Sequence, residues 1–185
     1  MAQRVSIEPF TPEAYAPFGT ALVQPQRPAD AAEDANAAWL LPSDIDGRPQ
    51  WMYQRAFRQP LRVSLMERHH HVAQLFVPLA ARPFVMVVAP PSAPGKAQQP
   101  DPAAIRAFLL DGACGLIIGR GTWHALDRLP VRDEALDFFF VTEAETQADM
   151  AMHAADRPER LERSDIVTLA EPVELTDPIG LLPSA

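Results

Sequence analysis

The chain has 185 residues, of which 48% are hydrophobic and 22% charged, and its formal net charge is -8. This length favours one domain with a substantial core, and the longest apolar runs are too short to span a membrane. Nucleic-acid binding normally requires a clustered basic face, whereas the arginines here are scattered singly. The composition therefore argues against a nucleic-acid partner and against a membrane protein.

The N-terminus and the single cysteine bear on the cellular compartment. The N-terminus lacks a basic region followed by an apolar core and a small-residue cleavage site, so no export signal is predicted. Cys114 is the one cysteine, which excludes an internal disulfide framework and fits a reducing compartment. It lies in the apolar run GACGLIIG, so we predict a small buried side chain rather than a nucleophile. We expect a cytoplasmic protein.

The first predicted element is a short helix in the segment TPEAYAPFG. Thr11 is the predicted N-cap, Pro12 the first helical residue and Gly19 the stop. The following stretch, residues 26–39, is rich in alanine and acidic residues and has no apolar stripe. We interpret it as an exposed, flexible loop.

The middle of the chain predicts strands. The whole chain has 20 prolines and 8 glycines, and those in the middle separate short runs rich in Val, Leu, Ile and Phe, which favours an all-β barrel or sandwich. The segment DPAAIRAF predicts one more helical turn, capped by Asp101. Residues 170–185 are interpreted as an outer strand with an extended tail, or as a segment that docks on a partner subunit. We treat residues 1–185 as a single domain.

The segment LMERHHHVAQLFVPL carries three adjacent histidines. Because side chains alternate along a strand, Glu67 and His69 are expected on one face and Arg68 on the other. A carboxylate and an imidazole on an apolar wall are costly unless they are paired, bound to a metal or used in catalysis. The alternative is that they simply end a strand in solvent.

A second polar group follows the apolar run GLII, in GRGTWHAL. Gly119 and Gly121 permit a tight bend before Trp123 and His124 begin the next strand. The order of the two segments resembles the paired motifs of cupins, in which histidines converge inside a barrel and hold a divalent metal. The resemblance implies a metal set that comprises His69, His71, Gln74 and His124.

A closer resemblance spans roughly Pro12 to Val141. The segments PEAYAPFGT, MERHHHVAQLFVPL, FVMVVA, PDPAAIRAFLLDG, GRGTWHAL and LDFFFV occur in the order and approximate spacing of the ureidoglycolate lyase family. This resemblance implies a cupin-like β-barrel (a double-stranded β-helix), a homodimer, and cleavage of ureidoglycolate to glyoxylate and urea in allantoin breakdown. The positions that match the family pattern are Glu67, Arg68, His69, Gln74, Arg106, Arg120, Trp123 and His124.

The chain departs from the family pattern at five positions. Where the family usually has a Pro-hydrophobic pair, this chain has His70 and His71. Where the family usually has Asn-Tyr, this chain has Ile117 and Ile118. Ala125 stands where the family commonly has a second histidine. These changes leave the substrate and its stereochemistry open. The alternatives are a metal-dependent cupin enzyme of another class, such as a dioxygenase or isomerase, and a non-catalytic small-molecule-binding cupin.

For a ureidoglycolate lyase the residue types suggest roles. We expect His124 and His69 to be acid–base catalysts or metal ligands, with Glu67 as their partner or an additional base. Arg120 is the expected carboxylate anchor, because its planar fork suits a carboxylate. Further substrate contacts are assigned to Gln74, Arg68 and Trp123. For Arg68 an interface or salt-bridge role is preferred, and for Trp123 packing is the commoner role of such an aromatic.

Any metal would be a divalent ion such as Zn, Mn, Ni or Fe, and the residue types leave its presence and identity open. The other expected partners are a small carboxylate substrate and a second copy of the chain. Apart from the resemblance, dimerisation is supported by the apolar segment GLLP.

Overall fold

The structure is a computed structural model that describes residues 3–92, 99–157, 161–177 and 180. Its elements are mostly strands, and this confirms the predicted all-β class. The strands, in chain order, are β1 (Gln3–Pro9), β2 (Gly19–Ala21), β3 (Ala31–Glu33), β4 (Asn36–Ala38), β5 (Pro49–Phe57), β6 (Arg62–His69), β7 (Gln74–Pro78), β8 (Phe84–Ala89), β9 (Arg106–Leu110), β10 (Leu116–Ile118), β11 (Trp123–Ala125), β12 (Leu129–Pro130), β13 (Ala135–Glu143) and β14 (Ser164–Thr176).

Two sheets make up the body of the protein. The larger has the order β11-β6-β14-β1-β9-β8-β12, and because β11 also pairs with β8, six of its strands close into a ring. The smaller has the order β2-β10-β7-β13-β5 and is antiparallel throughout. A closed β-barrel removes the exposed edges that an open sheet would present. This architecture agrees with the predicted barrel.

Two apolar clusters form the core. One draws side chains from all six strands of the ring, including Val87 and Trp123, and so fills the ring. The other lies between the two sheets and includes Phe76, Val88 and Phe138. Strand β8 is buried along its whole length because its alternate side chains enter the two clusters. This explains its unbroken apolar sequence, FVMVVA.

The predicted helical turns form where expected. Helix α1 (Pro12–Tyr15) is capped by Thr11, whose hydroxyl accepts the Ala14 N–H at 3.1 Å. A 3₁₀ turn at Pro102–Ala104 is capped in the same way by Asp101. The stop differs from the prediction, because α1 ends at Tyr15 and Gly19 already begins β2.

Helix α2 (Ala144–Ala154) was not predicted from the sequence. Its sequence, AETQADMAMHA, contains alanines and two methionines but no large aliphatic or aromatic residue to mark a buried face. The helix is held through its polar groups, because Asp149 is buried and accepts the backbone N–H groups of Glu162 and Arg163. Within the described part of the chain, no helix is long and apolar enough to cross a membrane.

Two segments differ from their predicted form. Residues 26–39, expected to be an unstructured loop, contain the exposed two-stranded hairpin β3–β4. Residues 170–176, expected at the periphery, belong to β14, which lies inside the larger sheet between β6 and β1. The rest of the predicted tail, including most of GLLP, lies outside the described residues apart from residues 177 and 180.

Candidate active site

Three titratable side chains meet on the face of the ring that looks toward the smaller sheet. Glu67 and His69 lie two residues apart on β6 and therefore share a face, as strand alternation predicts. His124 on β11 is the direct cross-strand partner of Glu67. It is also the partner of Val88, which belongs to the cluster between the sheets. Together Glu67, His69 and His124 form what we call the triad.

A glycine turn sets the register that brings the triad together. Gly121 precedes β11 and has a φ of 72°, a conformation that glycine adopts without a steric cost. Its N–H donates to the His69 carbonyl at 2.7 Å, so the start of β11 is tied to the end of β6. The predicted tight bend therefore sets the strand register in which His124 lies opposite Glu67.

The triad is compact and buried. Glu67 Oε1 lies 3.2 Å from His124 Nε2 and 3.9 Å from His69 Nε2, and the imidazole centroids are 5.2 Å apart. Exposed fractions are 5% for Glu67, 3% for His69 and 1% for His124. Within the described residues, Glu67 Oε2 and His69 Nε2 have no hydrogen-bond partner, and His124 Nε2 has none beyond its 3.2 Å contact with Glu67 Oε1. Buried polar atoms without partners are rare in proteins and indicate that a ligand, ion or water completes them.

Hydrogen bonds on the far side of each ring orient the histidines. His124 Nδ1 lies 3.1 Å from the Thr122 carbonyl, which can only accept, so Nδ1 carries the proton. In the neutral ring the lone pair is then on Nε2, which faces Glu67. His69 Nδ1 lies 2.9 Å from the Ser164 hydroxyl, which can donate or accept, so its tautomer is not determined by this contact.

The protonation states follow from burial and from the short distances. Burial lowers the pKa of His124, while the hydrogen bond and charge of Glu67 oppose that shift. Burial alone would raise the pKa of Glu67, but its interactions with His124 and His69 hold that pKa well below its ordinary value. At neutral pH Glu67 is therefore a carboxylate, while burial favours the neutral form of His124.

Gln74 is the one other predicted site residue that faces this interior. It is buried on β7, on the same face as Phe76, which belongs to the cluster between the sheets. Its Nε2 donates to Thr142 Oγ1 at 3.2 Å, and its Oε1 has no hydrogen-bond partner. The amide oxygen is therefore free to accept from a ligand.

Arg68 and Trp123 lie on the other face of the ring from the triad. Arg68 donates to Asp165 through Nε and Nη2 at 2.9 and 2.7 Å, and its guanidinium lies 4.4 Å from the Trp123 ring centroid. Trp123 is fully buried in the ring cluster and donates to Ser92. Strand alternation points both side chains away from Glu67, so they lie outside the triad in a packed and ion-paired arrangement.

Arg120 and His71 are engaged by a neighbouring loop. Arg120 Nη2 lies 2.6 Å from Asp44 and 2.7 Å from Asp46, and His71 Nδ1 lies 3.2 Å from Asp46. The expected metal ligands were His69, His71, Gln74 and His124. Among the described histidines, cysteines and acidic residues, the group that could hold a metal is the triad, and His71 is outside it. Glu67 takes the place of His71.

Arg128 was missed by the sequence analysis. It follows His124 by four residues and is only 3% exposed, yet its charge interacts with both Glu67 and His124. Its one available signal was a lone arginine in the otherwise apolar and turn-forming stretch WHALDRLP. The spacing of residues in the sequence does not show whether an arginine at this position is buried or exposed.

A large cavity of about 830 Å³ lies elsewhere and does not include the triad. Its lining is mainly apolar and includes Phe10, Leu22, Leu109 and Cys114. Cys114 is only partly buried, because it lines this cavity, so the predicted full burial is wrong. Desolvation still raises the pKa of its thiol.

A family comparison adds to this geometry. Residues 2–162 match the family model described as ureidoglycolate lyase. The chain belongs to the ureidoglycolate lyase family. The matched range contains the whole triad, Gln74 and Arg128, so the family assignment covers the site.

Individual members of the ureidoglycolate lyase family are similar over most of their length. A ureidoglycolate lyase of Pseudomonas aeruginosa (strain LESB58) is 31% identical, with 65% of this chain and 73% of the relative covered. One of Burkholderia mallei (strain NCTC 10229) is 34% identical, with 65% and 72% covered. Ureidoglycolate lyase 1 of Rhizobium meliloti (strain 1021) is 33% identical, with 67% and 74% covered.

Proposed function

We propose that this protein is a ureidoglycolate lyase, which cleaves ureidoglycolate to glyoxylate and urea in allantoin (purine) catabolism. The observation that carries the proposal is the buried triad, whose three ligand atoms lie within 4.8 Å of one another in a chain of this family. Perturbed titratable groups in a buried cluster are the usual mark of a catalytic site.

The reaction needs two proton transfers and no net proton. One carbon of ureidoglycolate carries a hydroxyl, a carboxylate and a urea nitrogen. A base removes the hydroxyl proton, the oxygen lone pair forms the C=O bond of glyoxylate, and the C–N bond breaks. The electron pair of that bond goes to the urea nitrogen, which takes up a proton. The site must therefore supply both a base and an acid.

The triad contains groups suited to both transfers. His124 is the preferred base, because its Nε2 lone pair is aimed into the site while its Nδ1 is held by the Thr122 carbonyl. Glu67, 3.2 Å away, stabilises the imidazolium that forms. His69 is the preferred acid for the urea nitrogen, with Ser164 positioning its ring. Gln74 can accept a hydrogen bond from the substrate through its free Oε1.

The same triad fits a divalent metal. One ligand atom from each residue lies within 4.8 Å of the other two, and ligand atoms around a tetrahedral ion are roughly 3.3 Å apart. Two imidazoles and a carboxylate suit Zn, Mn, Ni or Fe. An ion held there would act as a Lewis acid that polarises a substrate oxygen.

The proposed activity is tested with racemic ureidoglycolate and purified, chelator-treated protein. We expect urea and glyoxylate to appear in equal amounts, above the rate of spontaneous decay. The assay is repeated with each divalent metal added back and the bound metal quantified. Activity without metal assigns the histidines to proton transfer, and activity restored only by metal assigns them to ligation. Absence of both products under every condition would contradict the proposed function.

The pair His69→Ala and His71→Ala tests which histidines belong to the site. We expect His69→Ala to lower kcat by about 100-fold or more, because it removes a triad nitrogen. His71→Ala should retain wild-type kcat and metal content, because His71 contacts Asp46 outside the triad. Steady-state rates and metal analysis of both proteins provide the measurement. Equal losses in the two variants would place His71 in the site.

The proposal includes a cytoplasmic homodimer. The outer face of β5 presents Trp51, Tyr53 and Phe57, with Trp51 71% exposed, and Phe139 of β13 lies beside Tyr53. Arg55, paired with Asp137, separates Tyr53 from Phe57 on this face, whereas Trp51, Tyr53 and Phe139 lie together. Exposed groups of large apolar side chains mark interaction sites. β5 is also an edge strand, so a second copy can reach this face without obstruction from another strand of the smaller sheet.

Trp51→Glu tests this interface. We expect wild-type protein to sediment as a dimer and Trp51→Glu to shift toward monomer, because a charge in the centre of an apolar interface is left desolvated. The melting temperature of the monomer should change little, since Trp51 is exposed in the single chain. Leu40→Glu, at another exposed apolar residue, is the control and should remain dimeric. A monomeric wild-type protein would contradict the proposed dimer.

A further inference from the structure

Arg128 is a buried cation, and no described acidic side chain forms an ion pair with it. Its side chain is 3% exposed and lies in the bend between β11 and β12. Burial lowers the pKa of Arg128 to about 10, an effect that Glu67 opposes, so the guanidinium stays charged at neutral pH. Burying a charge without a direct partner destabilises the folded protein, and a ligand of opposite charge would relieve that cost.

The hydrogen bonds of Arg128 are incomplete. Its Nη1 donates to the Leu126 carbonyl at 2.6 Å, and its buried Nε has no partner among the described residues. No ion pair to Arg128 forms among the residues that the structure describes. A guanidinium has five N–H donors in a planar fork, so most of its donor capacity is available to a ligand.

Packing holds this guanidinium in a fixed position. It lies 3.9 Å from the centroid of the Phe76 ring, on the inner face of β7. Phe76 is itself stacked on Phe140 at 4.3 Å. A cation over an aromatic face is partly stabilised without using its N–H donors. The arginine is therefore oriented before a ligand arrives, which lowers the cost of binding.

Arg128 and the triad face the same interior between the two sheets. The charge of Arg128 interacts with Glu67 and His124, and Gln74 shares the inner face of β7 with Phe76. Arg120, the expected anchor, is already bound by Asp44 and Asp46 and is partly exposed. A carboxylate at Arg120 would have to displace two aspartates, whereas a carboxylate at Arg128 would meet unpaired donors.

We propose that Arg128 binds the carboxylate of the substrate, so that the site takes small α-hydroxy carboxylates with the carboxylate on Arg128 and the hydroxyl on the triad. This assignment rests on the proposed function for its substrate, but the geometry of Arg128 stands without it. Arg128 then sets specificity, because an uncharged amide would leave the buried guanidinium unpaired.

The test compares glycolate with glycolamide, which differ in charge and little in size. Glycolate should raise the melting temperature of wild-type protein at neutral pH, and glycolamide should not. Arg128→Met should abolish the glycolate shift and raise KM for ureidoglycolate about 10- to 100-fold, with a smaller change in kcat. Arg132→Met, at an exposed arginine, is the matched control and should behave as wild type.

Further variants separate a loss of carboxylate binding from a loss of folding, and separate the role of Arg128 from that of Arg120. Arg128→Met should fold and can raise the melting temperature without ligand, since it replaces a buried charge with an apolar chain of similar length. If it does not fold, Arg128→Lys keeps the charge but loses the fork, and should raise KM about 10-fold. Arg120→Met should leave the glycolate shift in place. Loss of that shift in Arg120→Met, with its retention in Arg128→Met, would overturn the proposal.

The two proposals fail in different ways. Urea release with an unchanged KM in Arg128→Met would overturn the role of Arg128 and leave the lyase activity standing. Arg128-dependent glycolate binding without urea release would overturn the lyase activity and retain a carboxylate site. A wild-type protein that does not respond to glycolate, with no KM change in Arg128→Met, would also overturn the role of Arg128.

Discussion

His124→Ala is expected to lower kcat for ureidoglycolate by about 10²- to 10⁴-fold, the usual range for a general acid–base group. His124 is the triad member whose proton position is determined, because Nδ1 donates to the Thr122 carbonyl and leaves the Nε2 lone pair facing Glu67. The substitution removes that nitrogen and leaves the pairing of β11 with β6 intact, since this pairing uses backbone atoms. Turnover and circular dichroism, measured on the same preparation, separate a lost function from a lost fold.

His153→Ala is the matched control for this loss. His153 lies on α2 in the last helical turn, outside the triad, and its truncation should leave turnover at the wild-type level. Metal content is measured for both variants, because a triad that ligates an ion would lose the ion together with activity. Full activity in His124→Ala would remove His124 from the mechanism.

Glu67→Gln is expected to lower kcat/KM by about 100-fold or more, because it removes the charge that stabilises a protonated His124. It should also shift the pH profile. Glu67 raises the pKa of His124 through its hydrogen bond and charge, so its loss makes His124 harder to protonate. The base is active only when neutral, so activity is lost as pH falls through the pKa of His124. The residual activity of Glu67→Gln should therefore persist to lower pH than that of wild type.

The measurement is kcat/KM across about pH 5 to 8, the range in which histidine titrates. Glu33→Gln, at an exposed residue of β3, is the charge-matched control and should keep the wild-type profile. An acid limb that moves to higher pH in Glu67→Gln would contradict the assignment of His124 as the base. Loss of a bound ion in Glu67→Gln would instead identify Glu67 as a ligand.

Glu67 and Arg128 together explain why charged groups are tolerated between two apolar sheets. Each is buried, and each has at least one polar atom without a hydrogen-bond partner. Their opposite charges interact through space, so the interior is closer to neutral than either residue alone suggests. A substrate that carries both a carboxylate and a hydroxyl would supply hydrogen-bond partners to Arg128 and to Glu67 at once. The stability lost to unpaired charges would then be recovered on binding.

The local part of the site could be predicted because it depends on short-range geometry. Strand alternation places Glu67 and His69 on one face and Arg68 on the other, and the glycines of GRGTWHAL place a turn before His124. The helix caps at Thr11 and Asp101 follow from hydrogen bonds between residues two or three positions apart. Helix α2 escaped prediction because its support comes from contacts with residues 162 and 163 rather than from an apolar stripe.

The all-β class, the family and the shared face of Glu67 and His69 could be predicted without a structure, because alternation, turn residues and motif order are properties of the chain alone. Only the tertiary structure decided which arginine is free to bind an anion. Arg120 is neutralised by Asp44 and Asp46, about 75 residues away along the chain. Arg128 is buried against Phe76, and its Nε has no partner. Both outcomes depend on pairing across distant segments, which determines burial and counter-charge and is not visible in local spacing.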